Sequence, residues 1–188
     1  MHPRQISFRC LQAEDIPEVL RIQNDNLLTN LSQTEQSNGY LSVAFSKRQF
    51  KEMHREIPII VADLGSRLGG YLCSSSLAYN RRIPLLAHMI ELFKETAYKS
   101  RPLDDYRAFV YGPVCIDRTL RGSGLLNGLF DALMCQLAGR FDVGTLFISR
   151  NNPRSLRAHT HHLGMRKLRS FTFEENEFYL LAFDVQVT

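Results

Sequence analysis

The sequence predicts a mixed α/β protein made as one domain across residues 1–188. Three observations point there. Short stretches that alternate apolar and polar residues, or are apolar throughout, are bounded by turn residues as strands are. Between them lie segments with apolar residues at helical spacing. At the centre, Tyr111 to Gly139 passes from an apolar run, Val114-Cys115-Ile116, through a glycine-containing loop into apolar positions 125, 126, 129, 130, 133, 134 and 137, which reads as strand, loop, helix. With 188 residues, 44% of them hydrophobic, the chain can bury a core of its own.

Taken in order, Ile6 to Leu11 alternate as a half-buried strand. Gln12 to Leu28 form an amphipathic helix with Pro17 near its start, and 29–38 is a polar loop or lid. Ser46 caps a helix running to Glu56, with Phe50 and Met53 inward. Ile57–Leu64 and Arg67–Leu77 make a hairpin through Gly65-Ser66, where Gly69-Gly70 marks a bulge or a close approach to the backbone. A long insertion follows, with loops at 78–82 and 100–105 around a helix from Pro84 to Lys99. Then come a strand to Ile116, the helix from about Gly124, a buried strand Val143–Ser149, and a helix from Pro153 to a stop at Gly164. Met165–Phe173 and Phe178–Val187 are two further strands joined by the acidic turn Glu174 to Glu177.

Composition narrows the function. Lys and Arg outnumber Asp and Glu 23 to 19, but no basic run exists and Trp is absent, so a nucleic-acid module is disfavoured. No apolar stretch is long enough to span a membrane and the first residues start no signal peptide, which implies a cytoplasmic protein. Cys10, Cys73, Cys115 and Cys135 lack C-x-x-C spacing and read as reduced core residues. His159, His161 and His162 do not share one helix face, so no metal is expected.

The strand-to-helix joint suggests an anion site. The first N–H groups of a helix have no intrahelical partner, and the helix dipole adds positive potential. Gly122 and Gly124 let a phosphate approach the backbone, with Arg121 beside it. No Gly-Lys-Ser/Thr follows, and the next glycine is Gly128, so neither a P-loop nor a dinucleotide fingerprint is present.

Arg121-Gly122-Ser123-Gly124-Leu125-Leu126 resembles the Arg/Gln-x-x-Gly-x-Gly/Ala motif of the GCN5-related N-acetyltransferases, with Leu126 in the place of Gly or Ala. Asn152-Pro153-Arg154-Ser155, His159 and Leu163-Gly164-Met165 resemble the later motif of the same family, in the expected order. The resemblance implies a splayed, mostly antiparallel mixed sheet flanked by helices, and acetyl-CoA as co-substrate. It implies that backbone groups of Val114, Cys115 and Ile116 pair with the pantetheine arm and that amides of Arg121, Gly122, Ser123, Gly124, Leu125 and Leu126 hold the pyrophosphate. Asn152 and Ser155 would lie along the same arm.

The implied activity is N-acetyl transfer by direct attack of an amine on the thioester, which asks for a base and usually an acid. The family's acid position falls on His159 when counted from Asn152 and on Thr160 when counted back from Leu-Gly-Met, so the helix carries one extra residue; His159 is the candidate acid or thiolate stabiliser. No carboxylate occupies Phe109 to Pro113, which leaves Tyr111 or a water as base. Cys115, between Val and Ile, reads as core rather than nucleophile. The acceptor is expected to be a small amine or amino-acid-like molecule, walled by residues 78–105, 29–45 and the last strand pair, with Tyr40, Tyr71, Tyr79 and Tyr111 as candidate lining. The alternative is a non-catalytic acyl-CoA-binding or sensing domain; monomer and homodimer are both compatible.

Overall fold

The structure, a computed structural model, describes residues 6–185. The expected strand end at Val187 and the first five residues lie outside that range. The fold is mixed α/β with a seven-stranded, mainly antiparallel sheet. Its strands are β1 Ser7–Cys10, β2 Ile60–Asp63, β3 Leu68–Ser76, β4 Ala108–Ile116, β5 Val143–Ser149, β6 Arg166–Phe173 and β7 Asn176–Asp184. The principal helices are α1 Ile16–Asn26, α2 Lys47–Glu56, α3 Pro84–Glu91, α4 Leu125–Leu137 and α5 Pro153–Arg157. Among the described residues no helix is long and apolar enough to cross a membrane. The chain forms two compact units, one from residues up to Ser74 plus Gly112–Gln136, the other from Ser75–Tyr111 plus Leu137 onward.

In the first unit, α1 buries Ile16, Val19 and Ile22 and takes Pro17 in its opening turn, where the missing N–H costs nothing. α2 begins as its sequence suggests: Ser46 Oγ accepts from the Gln49 N–H at 3.3 Å, and Gln49 Oε1 accepts from the Ser46 N–H at 2.9 Å, a reciprocal capping box. β2 and β3 form the expected hairpin, in which Ala62 faces Gly70 but Asp63 faces Leu68, so Gly69 is the extra residue of a bulge. Both glycines also meet close neighbours: a Cβ on Gly69 would stand 2.9 Å from Leu125 Cδ1, and one on Gly70 2.7 Å from the Cys115 carbonyl. The polar segment after α1 holds a helical turn, Gln33–Gln36, where a loop was expected; Ser32 and Glu35 form its capping box.

In the second unit the ladder of β4 with β5 is parallel and three pairs long, Ala108–Val110 on Val143–Thr145, and Thr145 Oγ1 donates to the Phe109 carbonyl at 2.9 Å. β5 continues to Ser149 against β7, and β7 pairs antiparallel with β6. The ring of Phe183 lies over its cross-strand partner Gly144, 2.1 Å from where a Cβ would be. The last hairpin turns on two residues, Glu174 and Glu175, rather than four, because Phe173 still pairs with Asn176 and Glu174 takes φ +51°.

The insertion departs further from expectation. Leu77–Asn80, expected as the last strand residue and the start of a loop, is a helical turn whose Tyr79 N–H donates to Ser76 Oγ at 3.0 Å. The helix from Pro84 stops at Glu91, passes through one tight turn to Glu95, and gives way to a ladder of Ala97–Tyr98 with Arg101–Pro102 in place of helix to Lys99. Packing selects this path: Leu86, Met89, Ile90, Phe93, Tyr98 and Leu103 bury in one cluster with Val110, Val143, Phe171, Phe178 and Leu180. Burial of that many apolar side chains outweighs the helix propensity of Lys94 to Lys99.

Candidate active site

The first unit builds a cradle at the start of α4. Gly122 and Gly124 have φ of +83° and +86°, values that favour glycine, and neither would meet another atom within 4 Å of an added Cβ. The Gly124 carbonyl accepts from Asn127 N–H at 3.1 Å and Gly128 N–H at 3.3 Å, so Gly124 is the helix cap. A cap without a side chain supplies no oxygen to the first-turn amides.

The Arg121 side chain reaches three oxygens that carry no formal charge: Asn26 Oδ1, the Asn38 carbonyl at 2.5 Å and the Gly39 carbonyl at 3.2 Å. The Arg121 fork is thus spent on the residues 26–39 side rather than aimed at the cradle. Next to it, Arg118 pairs with Glu35.

Asp117 fixes the loop that leads into the cradle, a role the sequence reading missed. Its carboxylate accepts from Thr119 N–H at 3.0 Å, Thr119 Oγ1 at 2.7 Å, Arg67 Nη1 at 2.5 Å and Arg21 Nη2 at 3.4 Å. Burial alone would raise its pKa, but the Thr119 and Arg67 hydrogen bonds win and hold it at about 2. The folded value lies below the ordinary 3.8, so this stabilisation is complete above pH 3.8 and lost as pH falls toward about 2. Asp117→Asn is expected to cost about 2 kcal/mol at neutral pH. It should also flatten the acid side of the stability profile, read by thermal melts at about pH 3 and about pH 6.

The Asp117 N–H donates to the Gly69 carbonyl at 2.9 Å. Peptide groups alternate in direction along a strand, so Cys115 also turns its peptide to β3, as its carbonyl beside Gly70 shows. The peptides of Val114 and Ile116 point the other way, toward any arm that pairs with β4. The Cys115 thiol is buried and pushed up to about 11, mainly by that burial, with the Tyr71 hydroxyl beside it. It is a protonated core residue at neutral pH. Cys135, by contrast, is exposed rather than in the core, because it falls on the outer side of α4 from Leu129, Leu133 and Leu137.

The second unit holds the titratable pair. The residue added between the Asn and Leu-Gly-Met motif positions is taken up as a π-turn, Ala158–His162, in which Leu163 N–H reaches back to the Ala158 carbonyl at 3.3 Å. In this turn His159 points inward at 5% exposure, while Thr160 Oγ1 donates to the Leu156 carbonyl at 2.8 Å. His161 and His162 are exposed. His159 Nδ1 lies 2.7 Å from the Ser155 carbonyl, which can only accept, so Nδ1 carries the proton and Nε2 the lone pair. Among the described residues, buried Nε2 has no hydrogen-bond partner. Burial lowers the His159 pKa, the Ser155 carbonyl opposing, and keeps the ring neutral.

Tyr111 stands edge-on to His159, ring centroids 5.5 Å apart, and edge-on to Phe183 at 5.5 Å. Burial raises its phenol pKa well above the ordinary 10. Asn152 caps α5, its Oδ1 accepting from the Ser155 N–H at 3.2 Å. Of the other candidate tyrosines, Tyr71 is fully buried against Phe50 at 5.6 Å and Tyr79 is buried, so both pack rather than line a surface. Tyr40 is partly exposed. Among the described residues no three His, Cys, Asp or Glu side chains are grouped to hold a metal.

No model of a known family and no curated protein matches this sequence. Solved structures match it along almost its full length. An N-acetyltransferase from Staphylococcus aureus Mu50 superimposes with a TM-score of 0.63 at 17% identity, over 97% of this chain and 99% of its own. The ribosomal-protein-S18-alanine N-acetyltransferase of Escherichia coli gives 0.60 at 12% identity, over 98% and 96%. Arabidopsis thaliana NAA60 in complex with acetyl-CoA gives 0.65 at 13%, over 96% and 99%. The chain thus has the fold of N-acetyltransferases, the fold that the resemblance to the GCN5-related family implies.

Proposed function

We propose that this protein is a GCN5-related N-acetyltransferase that moves the acetyl group of acetyl-CoA to the amine of a small-molecule or amino-acid-like acceptor by direct attack. The observation that carries the reading is the side-chain-free cap of α4, with Gly122 and Gly124 at positive φ on a chain of this fold. Acetyl-CoA supplies an activated thioester. The amides of Gly122, Gly124, Leu125 and Leu126 bind its diphosphate, that of Ser123 donating instead to the Leu120 carbonyl at 3.3 Å, and the outward peptides of Val114 and Ile116 pair with the pantetheine arm. Asn152 and Ser155, joined by the bond from the Ser155 N–H to Asn152 Oδ1, are the second unit's candidates for holding the arm.

The two proton roles are assigned the other way round from the sequence expectation. A neutral His159 with its lone pair on Nε2 takes a proton, from the acceptor ammonium or a water relaying it. Burial keeps the Tyr111 phenol protonated at neutral pH, a state that suits a hydrogen-bond donor to the departing sulfur better than a base. A buried base of fixed tautomer favours turnover over a domain that only senses acyl-CoA.

The test is calorimetric titration with acetyl-CoA, CoA and ATP at two salt concentrations, followed by thiol release in the presence of amines. Saturable acetyl-CoA binding that survives the higher salt and exceeds that of ATP is the expected result. Absent or ATP-like binding overturns the proposal.

A further inference from the structure

Residues 27–41 of the first unit form a loop closed at its base. The Leu28 N–H donates to the Leu41 carbonyl at 2.9 Å, and the Leu41 N–H to the Asn26 carbonyl at 2.8 Å. Within it, Gln36 Nε2 donates to the Leu31 carbonyl at 3.1 Å and Ser37 Oγ to the Thr34 carbonyl at 2.7 Å. A surface segment with its ends joined and its interior filled by its own polar groups is an Ω-loop, a common site of function.

Its far side is tied to the cradle by two arginines of one short stretch. Arg118 holds Glu35, and Arg121 holds the Asn38 and Gly39 carbonyls while also bonding Asn26 at the loop base. Both arginines sit on the segment between Asp117, which anchors it to Arg67 and Thr119, and Gly122, where the amides of the cradle begin. The 118–121 segment therefore has two clients, the anion at its end and the Ω-loop on its flank. Resting on the function proposed above, we infer that Arg118 and Arg121 are positioning residues that couple the cofactor cradle to the acceptor-side loop, so that filling the cradle steadies residues 27–41.

The physical basis is that a diphosphate bound by the amides after Arg121 restricts the backbone carrying both arginines. A latch on a fixed post holds better than one on a moving post.

The experiment is hydrogen–deuterium exchange of the full chain with and without CoA, inorganic pyrophosphate serving as the anion alone. In the wild type, CoA is expected to slow exchange both at the start of α4 and across 27–41. Glu35→Gln keeps the capping box with Ser32, since glutamine serves there as well, but removes the charge pair with Arg118. In that variant, exchange across 27–41 is expected to rise about threefold without ligand, and CoA protection is expected to survive at α4 and be lost in the loop. Exchanging the two residues, Glu35→Arg with Arg118→Glu, should restore it.

CoA protection at α4 with no change across 27–41 in the wild type overturns the coupling. So does loop protection that Glu35→Gln leaves intact, since a merely structural tie answers in that way. Absence of protection at α4 itself counts against the proposed acetyl-CoA function instead, and pyrophosphate protecting both regions would trace the coupling to the anion.

Discussion

Gly124→Glu is expected to weaken acetyl-CoA binding by about 100-fold or more in Kd, because a like charge set against a bound diphosphate costs several kcal/mol. The geometry lets that effect be separated from strain. Gly124 has φ +86°, where an L residue costs about 1–2 kcal/mol, but an added Cβ would meet nothing within 4 Å. Gly124→Ala therefore carries the strain without clash or charge, and should bind with a loss of about tenfold or less. The difference between the two variants isolates the electrostatic part. Circular dichroism and melting temperature check that both remain folded. Equal binding by Gly124→Glu and wild type would place the anion elsewhere.

The parts of this molecule legible in the sequence are those written in local chemistry. Ser46 with Gln49 announces the α2 cap, Gly69-Gly70 the bulge, and the glycines around Ser123 the turn into α4, because each signal lies within a few residues of its consequence. The extra residue before Leu-Gly-Met was countable, but its form as a π-turn, and hence which of His159 and Thr160 turns inward, depends on what packs against the helix. The insertion was misread at Lys94 to Lys99 for a related reason: local propensity favours helix there, whereas Phe93, Tyr98 and Leu103 join a cluster drawn from strands far along the chain.

Site roles were harder still, since the deciding partners are remote in sequence. Asp117 is pinned by Arg67, 50 residues earlier. Arg121 looks like a phosphate neighbour by position, and its side chain and that of Arg118 meet Asn38, Gly39 and Glu35, more than 80 residues away. Nothing in the sequence marks those contacts, because single charged or amide residues on a polar loop carry no periodicity. The proton role proposed for His159 turns on one hydrogen bond: the Ser155 carbonyl four residues before it fixes the proton on Nδ1.

That bond makes the second large effect specific. His159→Ala is expected to lower kcat by about 100-fold, the share a positioned general base supplies, while acetyl-CoA affinity stays within about threefold, since no cofactor-holding backbone is touched. The pH profile discriminates base from packing residue. The folded pKa lies below the ordinary 6.5, so wild-type kcat should stay level as pH falls through 6.5 and decline only in more acid solution, where Nε2 takes up a proton. The same shift links to stability: the unfolded chain binds the proton more readily, so stability rises with pH across the window from the folded value up to 6.5. His159→Ala should remove both the acid limb of the rate and that slope in the melting temperature. A variant that loses stability but keeps kcat and its acid limb would return His159 to the core.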